Sequence, residues 1–310
     1  MGDIDTIPTS MTSREVPWHG GGNVTGRWQT TGEALVAGDL DWEVVKERVT
    51  RNGVDVPNKN FTVKRKKDGA EQVLGIVSDQ FPVLQNAEGF AFVDTMLEAA
   101  EDKAYVETAG ELRKGKVVFL SVKLPEQIAI AGEDLLDLYL NFRMGHDGTM
   151  AVTTEITPIR IECTNTMILG SQLAKHRWAV PHTTKMADRL KAVEAAFKNV
   201  TAYTEQLVWM GDTLVSTKVS DEELTRFLEG ALRITPKTDE RIADILTLAN
   251  TSNTIPVQFR GTGWGALNAI TEYFEHGRDT RSSEAMFQNV TGGEIARVRQ
   301  GFVDAFLPAR

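Results

Sequence analysis

The hydrophobic pattern of this chain changes its period near residue 184, and this change limits the fold more than any other feature. Before it, short segments alternate apolar and polar residues around turn signals such as Asp68-Gly69 and Asp147-Gly148, which is typical of antiparallel hairpins. After it, apolar residues recur at helical spacing. We therefore predict an α+β fold: a mixed front domain with antiparallel strands and one or two packed helices, followed by an all-α C-terminal region.

The same change predicts the domain organisation. Residues 1–30 are rich in Gly, Thr and Ser and are predicted to be a mobile N-terminal segment with a WHGGG loop at residues 18–22. Residues 31–183 are predicted to form the α+β core domain. Residues 184–310 are predicted to form the helical C-terminal domain.

Individual elements follow from the same patterns. In the front half we predict a short helix over 31–38 capped by Thr31, a helix over 86–102 capped by Asn86, and strands over 42–49 and 60–66. Further hairpins are predicted to turn at 113–116 and 146–148. Residues 159–176 are predicted to begin extended and to continue into a helix. The helices predicted in the back half cover 184–209, 221–233, 238–251, 263–276 and 293–306.

The helix that contains Trp264 has the clearest boundaries. Thr262 is a good N-cap and Gly277 a good stop signal. Trp264 and Phe274 share one helical face with other apolar residues, so we expect both to pack into a core or a subunit interface.

The composition excludes several classes of protein. The 310 residues include 34 Lys and Arg and 43 Asp and Glu, for a net charge of -9. This charge excludes a protein that binds a polyanion over its whole surface, but it does not exclude a local basic groove. Cys163 is the one cysteine, which excludes an intrachain disulfide and a cysteine-based zinc site. No signal peptide and no membrane-spanning stretch is recognisable, and we expect a cytoplasmic protein without a membrane partner.

The common catalytic and nucleotide-binding motifs are missing. The sequence has no GxxxxGK[ST], no GxGxxG after a strand, no HExxH and no GxSxG. We therefore assign no catalytic residue and expect no cofactor, which favours a binding protein over an enzyme. Cys163 beside Ile161 is interpreted as an inert core residue.

One group of polar residues remains a candidate for a metal site. Its members lie in Gly-rich or polar segments whose side chains can converge from loops, and imidazole and carboxylate groups suit several transition metals. They are His19, His146, Asp147 and His182. The alternative interpretation is that His146 and Asp147 are only turn residues.

Three basic clusters suit a single-stranded nucleic acid, because cations neutralise phosphates and an aromatic ring stacks on a base. The candidate contact residues are Lys64, Lys66, Lys67, Arg113, Lys114, Lys116, Lys175, Arg177 and Trp178. Strand alternation places Lys64 and Lys66 opposite the face of Phe61 and Val63, so we expect these two lysines to point outward. The alternative interpretation is that a charged edge hairpin only blocks aggregation.

Several strings together resemble the phage/plasmid-like protein family, a family of unknown function found on laterally transferred elements. They include VPWHGGG (16–22), TAGELRKGKVVFLSVKLP (108–125), NFRMGHDGTMAVTTEITPIRIECTNTM (141–167) and GTGWGALNAITEYFEHGR (261–278). The resemblance extends over nearly the whole chain, with departures at Gly21, Thr149 and Pro181. It implies a phage- or plasmid-encoded protein and carries over no catalytic residue.

The predicted order of elements is similar in outline to the core of single-strand annealing proteins, which need no cofactor. We therefore expect a phage- or plasmid-encoded protein that binds single-stranded DNA, anneals it in recombination and acts as a homo-oligomer; the choice between DNA and RNA stays open. One alternative is a non-enzymatic interaction, assembly or anti-host factor. The other is a metal-dependent nuclease or hydrolase that uses His19, His146, Asp147 and His182.

Overall fold

The chain divides into two compact units, and neither is a continuous stretch of sequence. The computed structural model describes residues 11–12, 23–24, 27–100, 103–150, 152–160, 177–180, 186–233, 237–277 and 293–307. Unit 1 contains Met1–Pro125, Tyr139–Ile156 and Arg177–Lys198, and unit 2 contains Glu126–Leu138, Thr157–His176 and Asn199–Arg310. The predicted boundary at 183/184, the WHGGG loop, Cys163 and most of the helix predicted within 159–176 lie outside the described residues.

Strands and helices alternate in the first half of the described chain, and helices dominate the second half, so the predicted α+β class is confirmed. The strands are β1 (Met11–Thr12), β2 (Asn23–Val24), β3 (Glu43–Arg51), β4 (Val54–Arg65), β5 (Glu71–Val77), β6 (Tyr105–Leu112), β7 (Val117–Ile130), β8 (Asp134–Gly145), β9 (Val152–Arg160) and β10 (Arg177–Val180). The helices are α1 (Thr31–Ala37), α2 (Asn86–Ala99), α3 (Met186–Ser216), α4 (Asp221–Ala231), α5 (Thr238–Thr251), α6 (Gly263–Glu275) and α7 (Gly293–Phe306), with a 3-10 turn at Val257–Phe259.

A three-stranded antiparallel sheet, β3-β4-β5, forms one part of unit 1. The β3–β4 turn consists of Asn52 and Gly53, whose φ angles are 51° and 78°. Positive φ at both central residues matches the twist of a tight hairpin, and Asn-Gly is the pair that adopts it most readily. The β4–β5 hairpin turns through Asp68 and Gly69, as predicted, and Gly69 has a φ of 86°.

The larger sheet has the strand order β10-β9-β8-β7-β6-β1-β2. One hairpin turns at 113–116 as predicted, and another turns at 146–149, one residue longer than the predicted 146–148. A third turn uses Ala131 and Gly132, both with positive φ. Helix α2 packs against β8, where the rings of Phe92 and Phe142 meet edge to face with centroids 5.5 Å apart. Gly89 makes this close packing possible, because a Cβ at that position would overlap with the Met144 side chain.

Unit 2 combines helices with the tip of the β7–β8 hairpin. The Trp264 indole is fully buried on α6 and donates a hydrogen bond from Nε1 to Oδ2 of Asp134, 2.7 Å away. The amide of Ala131 donates to Oδ1 of Asp212 on α3. A buried ion pair between Arg299 and Glu275 joins α7 to α6. The predicted burial of Trp264 and Phe274 is therefore confirmed, with Thr262 as the N-cap.

Two predicted helix caps are wrong by one residue. Thr30, not Thr31, accepts the capping hydrogen bond of α1 from the amide of Glu33, because Thr31 instead donates from its amide and hydroxyl to Asp94. Gln85, not Asn86, precedes the first turn of α2, and its amide donates to Glu88. Thr31 and Asn86 instead contact residues that are distant in sequence, and the local sequence gives no sign of these contacts.

Candidate functional site

Lys64 lies on the buried face of β4, so its predicted outward position is wrong. Only 5% of the residue is exposed, and its Nζ lies 2.5 Å from Oε2 of Glu111 on β6. Asn60 and Thr62 are buried on the same face. Two of these polar side chains have carboxylate partners in neighbouring segments: Asn60 donates to Asp79, and Lys64 donates to Glu111.

The next three cations of the same segment remain accessible, and each has a carboxylate partner. Arg65 pairs with Glu71 and Glu47, Lys66 with Asp39, and Lys67 with Asp41. The hydrogen bond that Arg65 donates to Glu71 raises the pKa of Arg65, and the hydrogen bond that Lys66 donates to Asp39 raises the pKa of Lys66. Both groups are therefore held in their charged forms.

The β6–β7 turn places a second basic cluster against the β4–β5 hairpin. Nε2 of Gln72 on β5 donates to the carbonyl oxygen of Lys114, 2.9 Å away. A Cβ at Gly115 would lie 3.1 Å from Cδ of Lys64, so the turn approaches β4 closely. The structure thus brings together two of the three predicted clusters.

The cations of the β6–β7 turn differ from those of β4 in their partners. Arg113 and Lys114 are exposed, and Lys116 is half-buried. In the described part of the chain, none of these three side chains has an ion-pair partner. We use the name double-turn surface for the accessible cations of both turns: Lys66, Lys67, Arg113, Lys114 and Lys116.

The third predicted cluster falls largely outside what the structure describes. Lys175 is outside the described residues. Arg177 and Trp178 lie on β10, whose backbone pairs with Glu155 and Thr154 of β9, but the positions of their side chains are also outside the described part. Their role as nucleic-acid contacts stays a prediction.

His146 is a buried residue held by three neighbours. It is 1% exposed, and its Nε2 lies 2.8 Å from Oδ1 of Asn86. Its amide donates to the carbonyl oxygen of Lys116, and its ring meets the Trp42 ring edge to face, with centroids 5.3 Å apart. These contacts fix the imidazole inside unit 1.

Asp147 behaves as a turn residue. Its Oδ1 accepts hydrogen bonds from the amide and the hydroxyl of Thr149, at 3.0 and 2.6 Å, an arrangement that Asp commonly makes in turns. His19 and His182 lie outside the described residues. Among the residues that the structure does describe, no three His, Cys, Asp or Glu side chains are placed to hold a metal ion.

Trp42 connects the two groups that the sequence analysis treated separately. The Nζ of Lys64 lies 4.8 Å from the centroid of the Trp42 ring, close enough for a cation–π contact, and His146 packs on the same ring. The carboxylate of Glu111 and the amide of Asn86 complete a buried group, the Trp42 cluster: Trp42, Lys64, Asn86, Glu111 and His146. Sequence reasoning missed Trp42 and Glu111, although Glu111 is the acidic residue next to the basic 113–116 turn.

A second buried polar group lies on the larger sheet. Nη2 of Arg143 on β8 donates to Oε2 of Glu155 on β9 at 2.7 Å, with side chains 7% and 3% exposed. Beside them, the hydroxyl of Ser121 donates to Oδ1 of Asn141 at 2.6 Å. Asn141 and Arg143 alternate with Phe142, which contacts α2, so they lie on the opposite face of β8. Sequence reasoning did not identify this group.

One family model covers most of these features. The family described as a domain of unknown function, DUF932, matches residues 73–292, more than half of the chain. The chain belongs to the DUF932 family. No curated protein and no solved structure matches the chain. Among the helices that the structure describes, none has the length and apolar character needed to cross a bilayer.

The DUF932 match includes some of the site residues and leaves out others. Asn86, Glu111, His146 and the whole β6–β7 turn lie inside residues 73–292, whereas Trp42, Lys64, Lys66 and Lys67 precede it. The Trp42 cluster and the double-turn surface are therefore each built partly from the DUF932 domain and partly from residues 42–67, which precede it.

Proposed function

We propose that this DUF932 protein binds single-stranded DNA through the double-turn surface. The observation that supports this most directly is the contact between Gln72 and the Lys114 backbone, which places two basic turns side by side. Accessible cations on adjacent turns can neutralise successive phosphates of one strand and release their counterions.

The ion pairs of Lys66 and Lys67 are compatible with this proposal. Ion pairs between exposed side chains contribute only about 0.2–1 kcal/mol, and the Lys67 side chain is 77% exposed. A phosphate can therefore replace Asp41 or Asp39 as the partner at small cost. Because the chain carries a net charge of -9, binding depends on local basic surfaces such as this one and is lost at moderate salt.

The proposed annealing activity, oligomeric state and origin rest on the two resemblances described in the sequence analysis. We propose that the protein anneals single strands as a homo-oligomer in the cytoplasm of a host cell, and that a phage or plasmid encodes it. Three buried polar groups do not favour a hydrolase, because structural contacts already occupy them. Lys64 pairs with Glu111, Arg143 pairs with Glu155, and the imidazole of His146 contacts Asn86.

A salt titration with labelled single-stranded and duplex DNA tests the proposal. Each lost phosphate contact flattens the log–log slope of affinity against salt by about 0.7 for a single strand. The double change Arg113→Gln, Lys114→Gln should therefore lower the slope by about 1.4 without regard to base sequence.

A matched control keeps the change in net charge and moves it elsewhere. Arg51→Gln, Lys59→Gln removes two exposed cations of β3 and β4 and should leave the slope unchanged. If the unmodified protein does not bind a single strand at low salt, even as an oligomer, the proposal is wrong.

Exposed apolar residues on β5 favour a second candidate, a non-enzymatic interaction or assembly protein. β5 is an edge strand of its sheet, and Val73 and Ile76 are 53% and 55% exposed. Edge strands with apolar side chains readily pair with another chain. Light scattering should show smaller particles for Val73→Lys, Ile76→Lys than for the control Val257→Lys; equal particle sizes would count against this candidate.

A further inference from the structure

A groove between α4 and α7 in unit 2 has the features of a ligand site. It has a volume of about 480 Å³ and is lined by Arg226, Phe227, Gly230, Ala231, Arg297 and Gly301. Sites for small molecules commonly have volumes of about 300–1,000 Å³. Three of the lining residues are glycine or alanine, which leave room for a ligand beside the larger side chains.

The charges in this groove are of one sign. Arg226 and Arg297 are exposed, and in the described part of the chain neither has an ion-pair partner. Of the described residues that line the groove, none is acidic. This contrasts with Arg241 and Arg299 in the same unit, which pair with Glu294 and Glu275.

Phe227 supplies an aromatic surface in the groove that the two arginines also line. Its ring packs edge to face against Phe302 and Phe306, with centroids 5.2 and 6.0 Å away. It also lies beside the α7 backbone, since a Cβ at Gly301 would be 3.8 Å from the ring. The half-buried ring is therefore fixed in place before any ligand arrives.

We propose that this groove binds a nucleoside phosphate, with the phosphate held by Arg226 and Arg297 and the base stacked on Phe227. Guanidinium groups bind phosphate oxygens through paired, charge-assisted hydrogen bonds, and an aromatic ring stacks on any base. An anion without a flat ring would leave Phe227 unused. The ligand is either a free nucleotide or one nucleotide of a strand.

This site is independent of the double-turn surface, which belongs to unit 1. The proposal therefore goes beyond single-strand binding at that surface, and the two fail separately. Arg113→Gln, Lys114→Gln should leave AMP binding at the groove intact, and in a protein that carries the groove changes the same double variant should still lower the single-strand salt slope by about 1.4.

Calorimetric titration of the full chain with AMP, inorganic phosphate and adenosine at low salt tests the proposal. AMP should bind more tightly than either of its parts. Arg226→Gln and Arg297→Gln should each weaken AMP binding about tenfold, since a hydrogen bond to a charged group has that effect when removed. The control Arg51→Gln, with the same change in charge, should bind AMP as the unmodified protein does.

The aromatic contact has its own test. Phe227→Leu should weaken AMP binding and leave phosphate binding unchanged, which also shows that the variant is folded, and Phe227→Tyr should restore AMP binding. Titration with oligo-deoxyadenylate distinguishes a free nucleotide from a nucleotide within a strand. If the oligonucleotide binds through both arginines and AMP does not, the site takes a nucleotide within a strand.

Three outcomes would overturn the proposal. The first is AMP or oligomer binding that is unchanged in the double variant Arg226→Gln, Arg297→Gln. The second is a failure of AMP, phosphate and the oligomer to bind at all. The third is an oligo-glutamate that binds through the two arginines as tightly as AMP, which would make the groove a docking site for an acidic peptide.

Discussion

At the scale of single residues, the main finding is that a lysine in a basic sequence run is a core residue. Lys64 has a carboxylate, an aromatic ring and a glycine turn around it, whereas Lys67 three positions later is exposed. Four consecutive cations therefore have different roles, because the strand ends and the side chains leave the buried face.

Lys64→Met should destabilise the fold. It leaves the carboxylate of Glu111 in a site where 10% of the side chain is exposed, and breaking a buried ion pair from one side costs about 3–5 kcal/mol. Chemical denaturation measures the change in the free energy of unfolding. The double variant Lys64→Met, Glu111→Leu should recover much of the loss; a double variant as unstable as the single one would contradict the pairing.

Trp264 allows packing and hydrogen bonding to be measured separately. Trp264→Ala should cost about 3–5 kcal/mol, as for other buried aromatic residues. Trp264→Phe keeps most of the volume and loses the bond to Asp134, which should cost about 1.5–3 kcal/mol. Thermal melting distinguishes the variants, and equal melting temperatures for the phenylalanine variant and the unmodified protein would show that the bond to Asp134 contributes nothing.

At the scale of elements, the turns could be predicted from the local sequence, but the face of β4 that is buried could not. The Asp68-Gly69 and Asp147-Gly148 turns were predicted, and Asn52-Gly53 carried the same signal but was not used. The facing of β4 depends on Glu111, about fifty residues away in sequence, so alternation within β4 could not determine it. The local sequence also gives no sign of the Trp42 contacts or of the pair of Arg143 and Glu155, because these residues come together only when the chain folds.

Helix α6 depends on a glycine at its start. A Cβ at Gly265 would overlap with the carbonyl oxygen of Phe259, and because backbone cannot move aside as a side chain can, Gly265→Ala should cost about 1–3 kcal/mol. Gly32→Ala in α1 is the control, since nothing lies within 4 Å of its Cβ position. Denaturant midpoints should fall for Gly265→Ala alone; a fall of equal size for the control would point to a general effect of alanine.

At the scale of the whole molecule, the two units exchange segments of chain. Residues 126–138 belong to unit 2, while the strand residues on both sides of them belong to unit 1. The hairpin tip supplies Asp134 to Trp264 and places Ile130 against Gly211 on α3. The helical part of the chain therefore takes part of its core from the front half.

A fragment of residues 199–310 should consequently fold poorly. Without the hairpin tip, Trp264 loses its hydrogen-bond partner and Gly211 its packing partner, so we expect less helix by circular dichroism and a broad melting transition. The full chain is the reference. A fragment that melts as sharply and at the same temperature as the full chain would show that the tip is dispensable.

The exchanged hairpin also limits how such a protein can be rearranged by recombination between genes. A single crossover between two diverged copies of the gene, at any point from residue 126 to residue 198, would divide each of the two units between the two parents. The cores of unit 1 and of unit 2 would then both contain residues from both parents. The two units are expected to be inherited together, as one block, with exchange tolerated chiefly toward the ends of the gene.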